Sequence, residues 1–182
     1  MIIPHFSDKI NTERIFLMKD TRQISVSRII SAILSIAVMV LIFLFSCEDA
    51  DSSSDTSGFF TDIAIKIFYP DFSSFSADRQ SEILGLLSHI VRKTAHFTIY
   101  ASLGFCVSLT AGQRKLLSAG SAGSLFFCFL YAVSDEIHQY FVPGRACMIR
   151  DMLLDTAGAL TGITASFIIL GIIAHIAEKR GS

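Results

Sequence analysis

The sequence predicts an all-α fold: a multi-pass membrane helical bundle with four transmembrane helices and short interfacial helices in the first outer loop. Three observations predict it. The 182 residues are 52% hydrophobic and 17% charged, with a mean hydropathy of +0.57, whereas a soluble domain carries about 45–50% and about 25%. The apolar residues are clumped in runs close to the ~20 that cross a ~30 Å hydrocarbon layer as a helix. No strand-like alternation points to a barrel, and backbone in lipid must satisfy its own hydrogen bonds. The net charge of −1 and the lack of a long Lys/Arg block set nucleic-acid binding aside.

The expected spans are Ile29–Ser46, Thr94–Gly112, Leu116–Ser134 and Met152–Ala174. Residues 1–28 form a basic cytoplasmic tail, 29–174 the four-helix domain with an outer loop at 47–93, and 175–182 a cytoplasmic C-terminal tail. Orientation follows from the cations, which collect on the cytoplasmic side of membrane proteins. Lys9, Arg14, Lys19, Arg22, Arg28, Arg114, Lys115, Lys179 and Arg180 fall on one side, nine of the 15 basic residues, with only four of the 16 acids. Both termini are therefore expected in the cytoplasm. A basic stretch, an apolar core and Leu44-Phe45-Ser46-Cys47 resemble a lipoprotein signal peptide. The long preceding tail, the bulk of Phe45 and the three further spans favour a retained helix instead.

Within the outer loop, Glu48 to Asp55 reads as a solvated turn. Phe59, Phe60, Ile63, Ile67 and Phe68 fall at helical spacing, and Ser76 is placed to cap a second helix with Ile83, Leu86, Leu87 and Ile90 on one side. These helices either lie along the interface or pack over the bundle. Cys106 and Cys128 read as small core residues. A Cys47–Cys147 bridge is chemically permitted outside, but nothing in the sequence brings the two together.

Ionisable residues near lipid are costly, so their positions are informative. Lys93, His96 and Tyr100 recur on one face at the start of span 2, Asp135, His138 and Gln139 at the end of span 3, and Arg150, Asp151 and Asp155 at the start of span 4. The topology brings all of them to one outer level. Pro143-Gly144 predicts a tight turn that holds Arg145 nearby, where a guanidinium suits capture of phosphate or carboxylate.

These motifs, Lys93-x-x-His96-Phe97-x-x-Tyr100-x-x-x-Gly104, Ser134-Asp135-Glu136-x-His138-Gln139-x-Phe141-x-Pro143-Gly144-Arg145 and Asp151-x-x-x-Asp155-x-x-Gly158-x-x-x-Gly162, resemble the VanZ-like family. The resemblance implies a multi-pass protein of the bacterial inner membrane and a link to resistance against teicoplanin, a lipoglycopeptide; it supplies no established reaction. One departure matters: Asp155 stands at a position where the family usually carries asparagine.

Three readings of the polar set stay open. In the first, an enzyme acts on a lipid-linked substrate, with His96 or His138 as base, Asp135, Glu136 or Asp151 orienting it, and Arg145 and Lys93 holding an anion. A divalent ion on His96, Asp135, His138 and Asp151 is a variant, but Asp-Glu-x-His is no established zinc spacing, and neither a metal site nor a cofactor is assigned. In the second, a module binds membrane lipid or a lipoglycopeptide without altering it, through Lys93, Tyr100, Gln139, Arg145, Asp151 and Asp155. In the third, the groups pair with one another as a clasp, Asp135 or Glu136 with Arg145 and Asp151 with Lys93 or Arg92. Gly158-x-x-x-Gly162 and the small residues Ser118–Ser124 are assigned to close helix packing.

Overall fold

A computed structural model describes residues 5–48, 50–112 and 116–181, with side chains described for 26–48, 58–112 and 116–180. Every regular element among them is helical: α1 (His5–Ser46), α2 (Ala50–Phe68), a short 3-10 turn (Phe72–Ser74), α3 (Ala77–Ala111), α4 (Ala119–Tyr140) and α5 (Ile149–Gly181). Arg114, Lys115 and Asp49, and the side chains of Lys9, Arg14, Lys19, Arg22 and Asp51 to Asp55, lie outside the described residues.

Among the described residues, two helices are long and apolar enough to cross a bilayer, through Val26–Ser46 of α1 and Ile149–Arg180 of α5. Only 22% and 28% of their apolar windows are buried, so neither is the core helix of a soluble protein. Ile29, Ile33, Ile36 and Leu44 of α1 and Ile168, Ile172 and Ile173 of α5 are more than half exposed, and burying such surface in lipid is worth roughly 25 cal/mol per Å². The protein is membrane-associated. The expected spans 94–112 and 116–134 are interrupted by Ser, Thr and Gly and do not reach the same apolar level.

The expected outer-loop helix behind Ser76 and span 2 are one element. α3 runs unbroken for 35 residues, about 50 Å at ~1.5 Å per residue. Ser76 caps it, its hydroxyl accepting from the Arg79 amide at 3.4 Å, and Gly112 ends it in the left-handed region at φ 64°. No proline or turn signal lies between, so nothing stops propagation once the helix is nucleated. α3 packs against all four other helices.

The solvated turn expected over Glu48 to Asp55 shrinks to Cys47–Glu48, since α2 begins at Ala50. Serines cost a helix only about 0.5 kcal/mol each, and a helix fixed at Phe59–Phe68 extends backward over them cheaply. Its apolar stripe also faces the other way from a core: Phe59, Phe60, Ile67 and Phe68 are exposed, while Ile65 and Thr61 are buried. Ile65 joins Ile83 and Leu87 of α3, flanked by Tyr69 and Phe72.

The main core, Ile42, Tyr100, Leu103, Cys128, Ala132 and Ala159, draws on α1, α3, α4 and α5. α3 and α5 meet backbone to backbone. A Cβ added at Gly104 would run into the Ala159 carbonyl, at Gly158 into that of Phe97, and at Gly162 into that of Ala101. Deeper along the seam the Ser166 hydroxyl donates to Ser108 at 2.9 Å. The small run at the start of α4 behaves differently: Ser121 and Ser124 are buried, but a Cβ at Gly123 meets nothing within 4 Å. At the opposite end from the polar residues, Arg28 Nε donates to the Thr110 carbonyl at 2.9 Å, satisfying an open acceptor at the end of α3.

Candidate functional site

The antiparallel arrangement brings the end of α1, the middle of α3, the end of α4 and the start of α5 to one level. There one ligating atom each from His96, Asp135 and Asp155 lies within 4.8 Å of the others. His96 Nδ1 is 3.8 Å from Asp155 Oδ1. Asp155 is 0% exposed, and neither carboxylate oxygen has a hydrogen-bond partner among the described residues; nor does the buried hydroxyl of Tyr100, one turn along α3 from His96.

Asp135 is held from the side. Gln139, one turn later on α4, donates from Nε2 to Asp135 Oδ2 at 3.0 Å and to Ser46 Oγ at 3.2 Å. Gln139 Oε1 in turn accepts from Arg145 at 3.5 Å. The turn that carries Arg145 is the one expected: its amide donates to the Val142 carbonyl at 3.1 Å, with Pro143 at the second position and Gly144 at φ 74° at the third. The other Arg145 donors reach the carbonyls of Glu48 (3.2 Å) and Phe45 (3.4 Å), which lie at the open end of α1. Burial, and after it the neighbouring Arg92, pull the Arg145 guanidinium below its ordinary pKa, although such a group stays charged in proteins.

The other expected site residues separate. Lys93 pairs with Asp151 at the rim. Glu136, 1% exposed, accepts the Met148 amide at 2.8 Å and anchors the connection into α5 rather than pairing with Arg145. His138 does not join the cluster. It sits three residues past Asp135 but its Nε2 lies 3.4 Å from Cys47 Sγ, and its ring packs 4.9 Å from that of Phe43. Residues three and four along a helix both neighbour the first, and the α1 side chains separate them here: Ser46 meets Gln139, whereas Phe43 and Cys47 meet His138. Cys47 and Cys147 are both free thiols. Sequence reasoning missed Ser46, whose only signal was a polar residue ending an apolar run.

Two cavities meet here. A polar one of about 250 Å³ is lined by Arg92, Lys93, His96, Arg145, Asp151 and Asp155 among others; an apolar one of about 170 Å³ lies between α1, α2 and α3, against Ile42, Phe45, Phe60, Val91 and Ile99. Arg92, His96 and Arg145 border both. Lys93 is engaged with Asp151, whereas Arg92 has no carboxylate partner among the described residues.

Fold and site together define a helical membrane protein with a buried acid–imidazole centre beneath a cationic mouth. The VanZ/LLP1 family model matches residues 31–171, and the chain belongs to that family. No curated protein and no solved structure matches it.

Proposed function

We propose that this VanZ-family chain spans the bacterial inner membrane four times, with both termini cytoplasmic, and takes an anionic lipid or lipid-linked envelope ligand from the outer face. The observation that carries the reading is the pair of adjoining cavities with Arg92, His96 and Arg145 on their common border. A headgroup fits the polar side and an acyl or prenyl chain the apolar side, as an amphiphile at a membrane surface requires. Four spans are supported by the hydroxyls of the less apolar helices. Thr98, Ser102 and Thr110 each donate to the carbonyl four residues earlier at 2.8–3.0 Å, which removes much of their cost in lipid. α4 has 22 residues and exposes Phe126, Phe127 and Leu130.

In lipid nanodiscs of mixed phosphatidylglycerol and phosphatidylcholine, the protein is expected to retain the anionic lipid through delipidation, read by native mass spectrometry. Arg92→Gln is expected to cut that retention about tenfold, the worth of one charge-assisted contact of ~1.4 kcal/mol. Equal retention of the zwitterionic lipid would overturn the reading. The orientation is tested separately: Cys47 and Cys147 are exposed free thiols, so an impermeant maleimide should label both on intact spheroplasts. Labelling only after lysis would reverse the topology.

A second reading, a hydrolase or transferase on the same ligand, is favoured by His96 at the cavity wall with one ligating atom within 4.8 Å of two carboxylates. It requires that His96→Ala abolish turnover while the headgroup still binds. Changed teicoplanin susceptibility of cells expressing the protein is the cellular readout of either reading.

A further inference from the structure

We propose that His96, Asp135 and Asp155 hold a divalent metal ion of the zinc class. Asp135 and Asp155 are buried at 4% and 0% exposure and stand within 4.8 Å of each other and of an imidazole nitrogen. Two buried carboxylates repel, and each is expensive to desolvate as an anion without a partner. Their nearest compensation is incomplete. Gln139 and the Ser46 hydroxyl both hydrogen-bond Asp135, while both oxygens of Asp155 and the hydroxyl of Tyr100 have no hydrogen-bond partner among the described residues. Lys93 is taken up by Asp151, and Arg145 is directed at Gln139 and at α1 carbonyls.

A divalent ion resolves the set. With a neutral imidazole and two carboxylates the centre is uncharged overall, the least costly state for a low-dielectric interior. One nitrogen and two oxygens are an acceptable three-ligand set for Zn²⁺, and three protein ligands leave a fourth position open. Bonds of about 2.0–2.2 Å place tetrahedral ligands roughly 3.4 Å apart, and His96 Nδ1 and Asp155 Oδ1 already stand at 3.8 Å, so small side-chain movements complete the site. Gln139 fixes Asp135 in orientation, the role that outer hydrogen bonds play around metal ligands. His96 and Asp155 both line the polar cavity, so the open position faces it. The sequence assigned no metal, and the variant weighed there, His96, Asp135, His138 and Asp151, differs in taking His138 and Asp151 in place of Asp155. The metal reading stands without the lipid reading and rests on it only for what would occupy the fourth position.

Cobalt(II) reports such a site by its visible absorption. The probe is Co²⁺ titrated into chelator-stripped full-length protein carrying Cys47→Ser, which removes the competing Cys47–His138 pair. One equivalent is expected to bind with tetrahedral d–d bands, and Zn²⁺ is expected to displace it. Asp155→Asn, which keeps the side-chain shape, should weaken binding at least a hundredfold while the thermal melt stays cooperative. Inorganic phosphate should shift the bands if the fourth position is open. Failure of the stripped parent protein to bind one equivalent, or equal binding by Asp155→Asn, would overturn the proposal. Because the parent titration decides by itself, a variant that does not fold leaves the test intact. Metal binding without retained anionic lipid would remove the lipid reading and leave the metal site standing.

Discussion

Gly162→Val is expected to abolish accumulation of the folded protein, while Gly171→Val on the same helix leaves it unchanged. The Cβ of a residue at 162 would enter the Ala101 carbonyl and crowd the Phe105 amide. Backbone cannot rotate aside as a side-chain tip can, so α5 must move away from α3. That movement opens the seam at Gly104 and Gly158 and breaks the Ser166–Ser108 bond. In lipid there is no hydrophobic drive to restore such contact, because the tails are as apolar as the helices, and close packing carries most of the association. A loss above about 4 kcal/mol is expected, among the largest for one substitution. At Gly171 an added Cβ meets nothing within 4 Å. Detergent-extracted yield by size-exclusion profile measures both; a monodisperse Gly162→Val protein at parental yield would remove the seam from the account of stability.

Arg145→Met is expected to lower stability by about 2–3 kcal/mol, the usual worth of hydrogen bonds to a charged donor in a partly buried place. Its guanidinium ties the carbonyls of Phe45 and Glu48 to Gln139, so its loss frees the end of α1 and, through Gln139, the orientation of Asp135. Arg145→Lys should recover little, because an ammonium cannot reproduce a planar fork reaching three acceptors. Thermal melts in detergent measure this, and a melt of Arg145→Met unchanged within error would limit Arg145 to the cavity wall. The effect on ligand affinity is expected to be smaller than that of Arg92→Gln, since most of the Arg145 donors already have partners.

Much of the site was legible because charge near lipid is rare. The recurrence of His96, Tyr100, Asp135, Gln139 and Asp155 at helical spacing, with a Pro-Gly turn beside them, was enough to place them at one level, and the structure brings them there. Direction within a level was harder to read. His138 and Gln139 both satisfy helical spacing from Asp135, and only the neighbour on α1, Phe43 against His138 and Ser46 against Gln139, decides which points inward. The same limit left α2 open between interface and bundle: a stripe of five apolar residues marks a helix, but in a membrane protein such a stripe seeks lipid as readily as a core. Helix ends were misread where polar residues stood for turns, at Ser52–Ser54 and again at Thr94, where hydroxyls and carboxylates sit within continuous helices.

The unbroken course of α3 ties two grips together on one element. Its first half is gripped by α2 through Ile65, Ile83 and Leu87, and from its middle onward it carries Lys93, His96 and Tyr100 and lies flush on α5. His96 stands between these two grips, beside the Phe97–Gly158 contact, and no break in the helix separates it from either. The outer helix and the buried centre therefore share one continuous element, and the position of His96 against Asp155 is set by the same packing that holds α2 and α5 to the bundle.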